Sequence, residues 1–182
     1  MDHNIELITA TLTELGILTA AKLNPGASND EISGLEQHLG QTLPQSVKNL
    51  LAVYNGQQHD ALGIAFGARL LSIDGIKQCW DHWLNLDDEA LNQENRGLME
   101  SDPVGVIKPL YTNPHWIPVT DDGSGNFMAL DFDPDIRGTQ GQIISCGIDE
   151  DVKCLVASDF EAFLENMVTY LKNERWTEAY LD

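Results

Sequence analysis

The sequence predicts an α+β domain in which helices pack on a mostly antiparallel sheet. Three observations carry this prediction. Apolar residues recur at helical spacing through much of the first half. Four short apolar runs between 115 and 159 are separated by Gly- and Asp-rich turns, and one strongly amphipathic run follows at 160–171. With 182 residues, 42% of them hydrophobic, the chain suits one domain with a substantial core, so residues 1–182 are read as a single domain.

Residues 4–22 read as a first helix, with Ile5, Ile8, Leu12, Leu15 and Leu18 on one stripe. NPGAS, 24–28, breaks it. A second helix starts at Ser28 or Asn29, because either caps a helix and Asp30 and Glu31 suit its positive N-terminal end. Ile32, Leu35 and Leu39 form its buried face, and Gly40 ends it. Pro44 opens a third helix, where its missing N–H has no partner to lose, with Val47, Leu50, Leu51 and Tyr54 inward and Gly56 as the stop.

Residues 62–73 read as extended, and 76–97 as one long helix with Ile76, Trp80, Trp83 and Leu84 inward. The stretch 95–109 reads as irregular and mobile. Strands follow at 115–122, 126–133, 141–149 and 153–159, with Pro118 marking an edge, an end or a bulge in the first of them. Ser158 or Asp159 caps a last helix whose face is Phe160, Phe163, Leu164, Met167, Val168 and Leu171.

Charge excludes some functions. Ten basic against 29 acidic residues give −19, which repels phosphate backbones and anionic membrane surfaces. A basic protein partner is attracted instead, with a faster on-rate. The N-terminal stretch lacks the basic and apolar regions of a signal peptide, and no apolar run is long enough to span a membrane, so a cytoplasmic protein is expected. Cys79, Cys146 and Cys154 form no CxxC pair. Cys146 and Cys154 fall on neighbouring strands, where they either face each other or stand as ordinary reduced thiols.

The densest chemistry lies in TDDGSGNFMALDFDP, 120–134. Its spacing fails the EF-hand pattern, since glycines stand at 123 and 125 and no glutamate closes the loop. Asp131 and Asp133 share a strand face and offer a looser cation site. Ser124 is not in a G-x-S-x-G elbow, and the five histidines show no metal-ligand spacing. A hairpin fits better: Gly123 and Gly125 supply positive φ, the Asp and Asn side chains bond the turn, and Asp131 accepts backbone N–H groups at the strand end. Trp80 and Trp83 are read as core, while Trp176 and Tyr180 near the C-terminus are candidate anchors for a partner.

Three segments together resemble one family. The first, 26–57, carries a helix with an inner Leu–Glu pair, then Leu43–Pro44, a second helix and Asn55–Gly56. The second, 116–134, carries Trp116, Pro118, the turn Asp122, Gly123, Gly125, and Leu130–Asp131. The third is GQIISC, 141–146. In this order they are similar to the SUKH superfamily, which contains the yeast cell-wall-synthesis regulator and many bacterial immunity proteins. The likeness covers 26–171 as a family-like core, with 1–24 as an N-terminal helical extension. It implies a SUKH-like α+β fold, no catalytic residues and no cofactor. It also implies an immunity protein that neutralises a cognate polymorphic or contact-dependent toxin, such as a basic nuclease, by covering its active site.

The expected contacts to that basic toxin domain are Asp87, Asp88 and Glu89, Asp121 and Asp122, and Asp149, Glu150 and Asp151. The alternatives are a regulatory scaffold of the fungal type and a metal protein using the aspartate cluster. The scaffold reading predicts a larger chain with disordered flanks. No such flanks are visible in these 182 residues, which counts against the scaffold reading.

Overall fold

The computed structural model describes residues 3–87 and 89–173. Asp88, Trp176 and Tyr180 lie outside the described residues. The elements run α1 (His3–Glu14), β1 (Leu23–Pro25), α2 (Asn29–Leu39), α3 (Gln45–Val53), β2 (Tyr54–Gln57), β3 (Arg69–Leu70), α4 (Ile73–Leu86), α5 (Glu89–Glu94), β4 (Glu100–Asp102), β5 (Trp116–Pro118), β6 (Thr120–Asp121), β7 (Asn126–Asp131), β8 (Gln142–Gly147), β9 (Val152–Ala157) and α6 (Phe160–Asn173). This is the α+β class the sequence predicts. Contacts divide the chain into two compact units, one of residues up to Ile73 with those from Glu161, the other Asp74–Phe160.

In the first unit, α1 is shorter than its periodicity predicts. It ends at Glu14, because Gly16 takes a left-handed φ of 74°; Ile5, Ile8 and Leu12 are buried, while Leu18 is exposed. The α2 boundaries follow the sequence. Ser28 and Glu31 form a reciprocal capping box, and Gly40 closes the helix at φ 62°. Leu43 is buried, with its N–H donated to Glu36 Oε1 at 2.8 Å, and Pro44 stands at the N-cap of α3.

Gly56 does not stop α3, which ends at Val53. It lies in β2 at φ 66°, where a Cβ would sit 2.3 Å from the Ser72 backbone nitrogen. Asn55 Oδ1 accepts the Ile73 N–H at the start of α4. The buried Gln57 bonds four backbone groups on three segments: its amide donates to the carbonyls of Ala21 and Leu62, and its oxygen accepts from Ile64 and Leu70. Instead of one extended run, 62–73 is mostly turns with the two-residue strand β3. All six residues predicted for the α6 face are buried, and Phe163 packs near Phe66 at 5.7 Å between ring centres.

The second unit is built on a five-stranded sheet of order β4-β9-β8-β7-β5. All its pairs are antiparallel except β4 with β9, which is parallel. Strand β4 lies inside the stretch read as irregular, and Met99, Val106 and Ile107 around it are buried, so that stretch is ordered packing. Pro118 lies on edge strand β5, opposite Ala129, and of the edge, end or bulge it marks, the sheet shows the edge. The predicted long helix is two. It breaks after Leu86, and Leu84 is exposed while Trp83 packs on the sheet against Phe127, Ala129, Ile144 and Cys146. Trp80 is half-buried and donates its indole N–H to the Pro114 carbonyl.

The register separates the cysteines. Ile144 pairs with Leu155, which sets Cys146 across from Lys153 and puts Cys154 beside Ser145. All three thiols are free. No described helix is long and apolar enough to cross a membrane.

Candidate functional site: two acidic turns clasped by Asn126

The hairpin between β6 and β7 is assembled by its own side chains. Asp121 Oδ1 accepts the Gly123 N–H at 2.7 Å, and Asp122 Oδ1 accepts the N–H groups of Ser124 and Asn126 at 2.7 and 3.1 Å. Asp122 Oδ2 takes the Ser124 hydroxyl and the Asn126 amide. Gly123 and Gly125 occupy φ 82° and 103°, as the turn requires. Partial burial pushes the Asp122 carboxyl up, but the hydrogen bonds from Ser124 and Asn126 outweigh it and hold the group below its ordinary range.

Asn126 also reaches the next turn, between β8 and β9. Its Oδ1 accepts the Asp149 N–H at 3.0 Å, and its amide lies 3.4 Å from Asp149 Oδ2. Gly147 makes this approach possible: at φ 146°, a Cβ there would stand 2.4 Å from Asn126 Cα. The clasp therefore joins Asp122 and Asp149 into one acidic end of the sheet. Asp151 is exposed there, and its carbonyl accepts the N–H of the exposed Glu100. Glu150 is half-buried, with its carboxylate 3.4 Å from the Ser145 hydroxyl.

The other predicted acidic residues stand elsewhere. Asp87 accepts the Thr112 hydroxyl at 2.7 Å and Glu89 accepts the Gln93 amide, and both line a cleft rather than the turns.

Asp131 and Asp133 are not a cation pair. Asp131 is fully buried opposite Trp116 and accepts the Asp133 N–H at 3.0 Å and the Gln142 amide at 2.9 Å. Burial raises its pKa despite these bonds. Asp133 points to Lys108 and Asn113 instead; burial pushes its carboxyl up, but these two partners bring it below the usual range. Among the described residues no three His, Cys, Asp or Glu side chains are grouped to hold a metal ion.

Two of the three thiols are poor nucleophiles. Burial, aided by Asp121, pushes Cys79 up to about 12, and burial carries Cys146 well above the ordinary thiol value.

The sequence reading missed three polar residues of this unit. Gln142 is buried and bridges Asp131 to the Val106 carbonyl. Lys153 is fully buried, its Nζ donated to the Glu150 carbonyl and 6.0 Å from the rings of Tyr111 and Trp116. Both lie at positions in phase with Ile144 and Cys146 of the core, Gln142 on the same strand and Lys153 opposite Cys146. Asn92 braces the cleft wall, accepting the N–H groups of Tyr111 and Thr112 and donating to the Thr112 carbonyl. Nothing in its helical surroundings marks it out.

Relatives place this architecture. The chain is 29% identical to the glucan synthesis regulatory protein of Neurospora crassa over 85% of its length. It is 31% identical to the cell wall biosynthesis/cell cycle regulator smi1 of Schizosaccharomyces pombe over 83%, and 25% identical to the cell wall assembly regulator SMI1 of Saccharomyces cerevisiae over 87%. It covers 35%, 32% and 38% of those proteins, so it spans about a third of the length of these curated relatives. The argument from missing flanks, which counted against the scaffold reading, loses its force: these similar proteins are fungal regulators with much additional chain. The SMI1 / KNR4 family (SUKH-1) model matches residues 26–166, from the Gly26 entry into α2 through the first half of α6, and the chain belongs to that family.

Proposed function

We propose that this chain is a non-catalytic, regulatory interaction module that holds a basic partner surface on its two acidic turns. The observation that carries the reading is the Asn126 clasp. It fixes Asp122 and Asp149 in one surface, with Asp151 exposed beside them, before any partner arrives. A preorganised acidic surface loses little conformational freedom on binding, and in a chain of net charge −19 it draws a basic partner from a distance. The relatives, named as regulators of glucan synthesis, of cell wall biosynthesis and the cell cycle, and of cell wall assembly, support a regulatory role over the toxin-neutralising one and over an enzyme.

The test is a domain exchange. The matched segment of the S. cerevisiae regulator is replaced by this chain, and growth is followed under cell-wall stress. The exchange is expected to restore growth, and Asp149→Asn with Asp151→Asn is expected to abolish the rescue at unchanged protein level. A double variant that rescues as well as the parent would remove the acidic turns from the function.

A further inference from the structure

The second unit also holds a cleft of about 910 Å³, within the range of small-molecule sites. It lies between the end of α4, helix α5 and the loop 108–115. Its carboxylates are already engaged as acceptors: Asp87 by the Thr112 hydroxyl, Glu89 by the Gln93 amide, Asp133 by Lys108 and Asn113. Several of its donors are uncommitted. The exposed Arg96 guanidinium has no ion pair or side-chain hydrogen bond among the described residues. Lys108 has one carboxylate partner for three N–H groups, and the exposed His115 lines the same wall. Two of the ten basic residues of this acidic chain thus line one cleft. Met99, Leu110, Pro109 and Pro114 give it an apolar part.

We infer that this cleft binds a small ligand by an oxyanion head, carboxylate or phosphate, received by Arg96, Lys108 and His115, with an apolar body against Met99 and Leu110. An arginine with free N–H groups forms a paired, directional contact with such a head, and the Thr112, Gln93, Lys108 and Asn113 donors already engage the carboxylates of the same lining. Asn92 keeps the 111–112 backbone in place, so the cleft exists before the ligand enters.

The experiment is a titration of the labelled full chain, followed by backbone amide shifts at constant ionic strength. The probes are N-acetyl-leucine, inorganic phosphate, and N-acetyl-leucinamide as the neutral control. Saturable shifts confined to residues 92–97 and 108–115 are expected from N-acetyl-leucine and none from the amide. Arg96→Gln, at an exposed side chain without partners, keeps the fold and is expected to weaken binding about tenfold or more. Phosphate binding at the same residues without N-acetyl-leucine binding would support the oxyanion site and identify the head as a phosphate. Equal shifts with the neutral amide, undiminished binding in Arg96→Gln, or no saturable shift with either anion overturns the inference.

Discussion

Lys153 is the least expected residue in the second unit, and replacing it by methionine tests how its charge is held. The side chain is fully buried on β9, opposite Cys146, with Glu150 and Asp151 as the nearby carboxylates. Removing an ammonium from water costs several kcal/mol even after relaxation. Against this stand one charge-assisted hydrogen bond to the Glu150 carbonyl, about 1.5–3 kcal/mol, and two ring contacts. Those contacts lie at 6.0 Å, the far limit of a useful cation–π distance, so each contributes about 0.5 kcal/mol. The return does not exceed the cost.

Methionine keeps an unbranched chain of similar volume and drops the charge. Lys153→Met is therefore expected to stabilise by about 1–3 kcal/mol, or about 3–8 °C in Tm for a chain of this size. Lys153→Ala leaves a void and is expected to cost about 2–4 kcal/mol.

The pH dependence separates charge from packing. Burial lowers the folded pKa of Lys153 below its ordinary 10.5, so the unfolded chain holds the proton more tightly. Wild-type stability therefore falls as pH drops from the unfolded value towards the folded one, then levels off. The methionine variant lacks this slope. Thermal unfolding by circular dichroism across pH 6–11 should show a gap that is widest at neutral pH and closes towards the alkaline end. A methionine variant that is less stable at neutral pH, with a gap constant in pH, would refute the reasoning.

Three further outcomes follow from the turns and the thiols. Gly147→Ala places a Cβ 2.4 Å from Asn126 Cα and 2.6 Å from its Oδ1, and is expected to cost about 3 kcal/mol or more in urea unfolding while releasing the two turns from each other. Asp122→Ala strands the N–H groups of Ser124 and Asn126 and is expected to cost about 1–3 kcal/mol, with Asp122→Asn costing less because one acceptor remains. Because the folded pKa of Asp122 is lowered, its contribution is present above the unfolded carboxylate value and is lost as pH falls through the folded one, so the gap between Asp122→Ala and wild type should close in acid. Native-state alkylation at neutral pH should label Cys154 first, leaving Cys79 and Cys146 protected until unfolding.

Much of this architecture was legible because local chemistry decided it. The α2 ends are set by Ser28, Glu31 and Gly40, the 121–126 turn by its aspartates and glycines, and the α6 face by six apolar residues at helical spacing. Errors arose where periodicity continued past the element. Leu15 and Leu18 extend the α1 stripe, yet the left-handed Gly16 ends the helix. Leu84 keeps helical spacing on a helix that turns it to solvent. Strand β4 was invisible for another reason: three polar residues, Glu100, Ser101 and Asp102, carry no apolar alternation, and only pairing with β9 makes them a strand.

The same distinction explains why the residues that carry the resemblance to the family are poor guides to partners. Asp122, Gly123, Gly125, Asp131 and Gly56 each have a conformational or hydrogen-bonding task inside the fold. A side chain committed in this way changes only with loss of the turn or strand end it makes. The exposed Asp151 beside the clasp and the exposed Arg96 in the cleft carry no such side-chain task among the described contacts. Such positions are free to follow a ligand or partner without cost to the fold, so specificity should be sought next to the signature rather than in it. Substituting Arg96 or Asp151 should leave Tm within about 1 °C while changing binding, whereas substitutions at Gly147 or Asp122 should move both together.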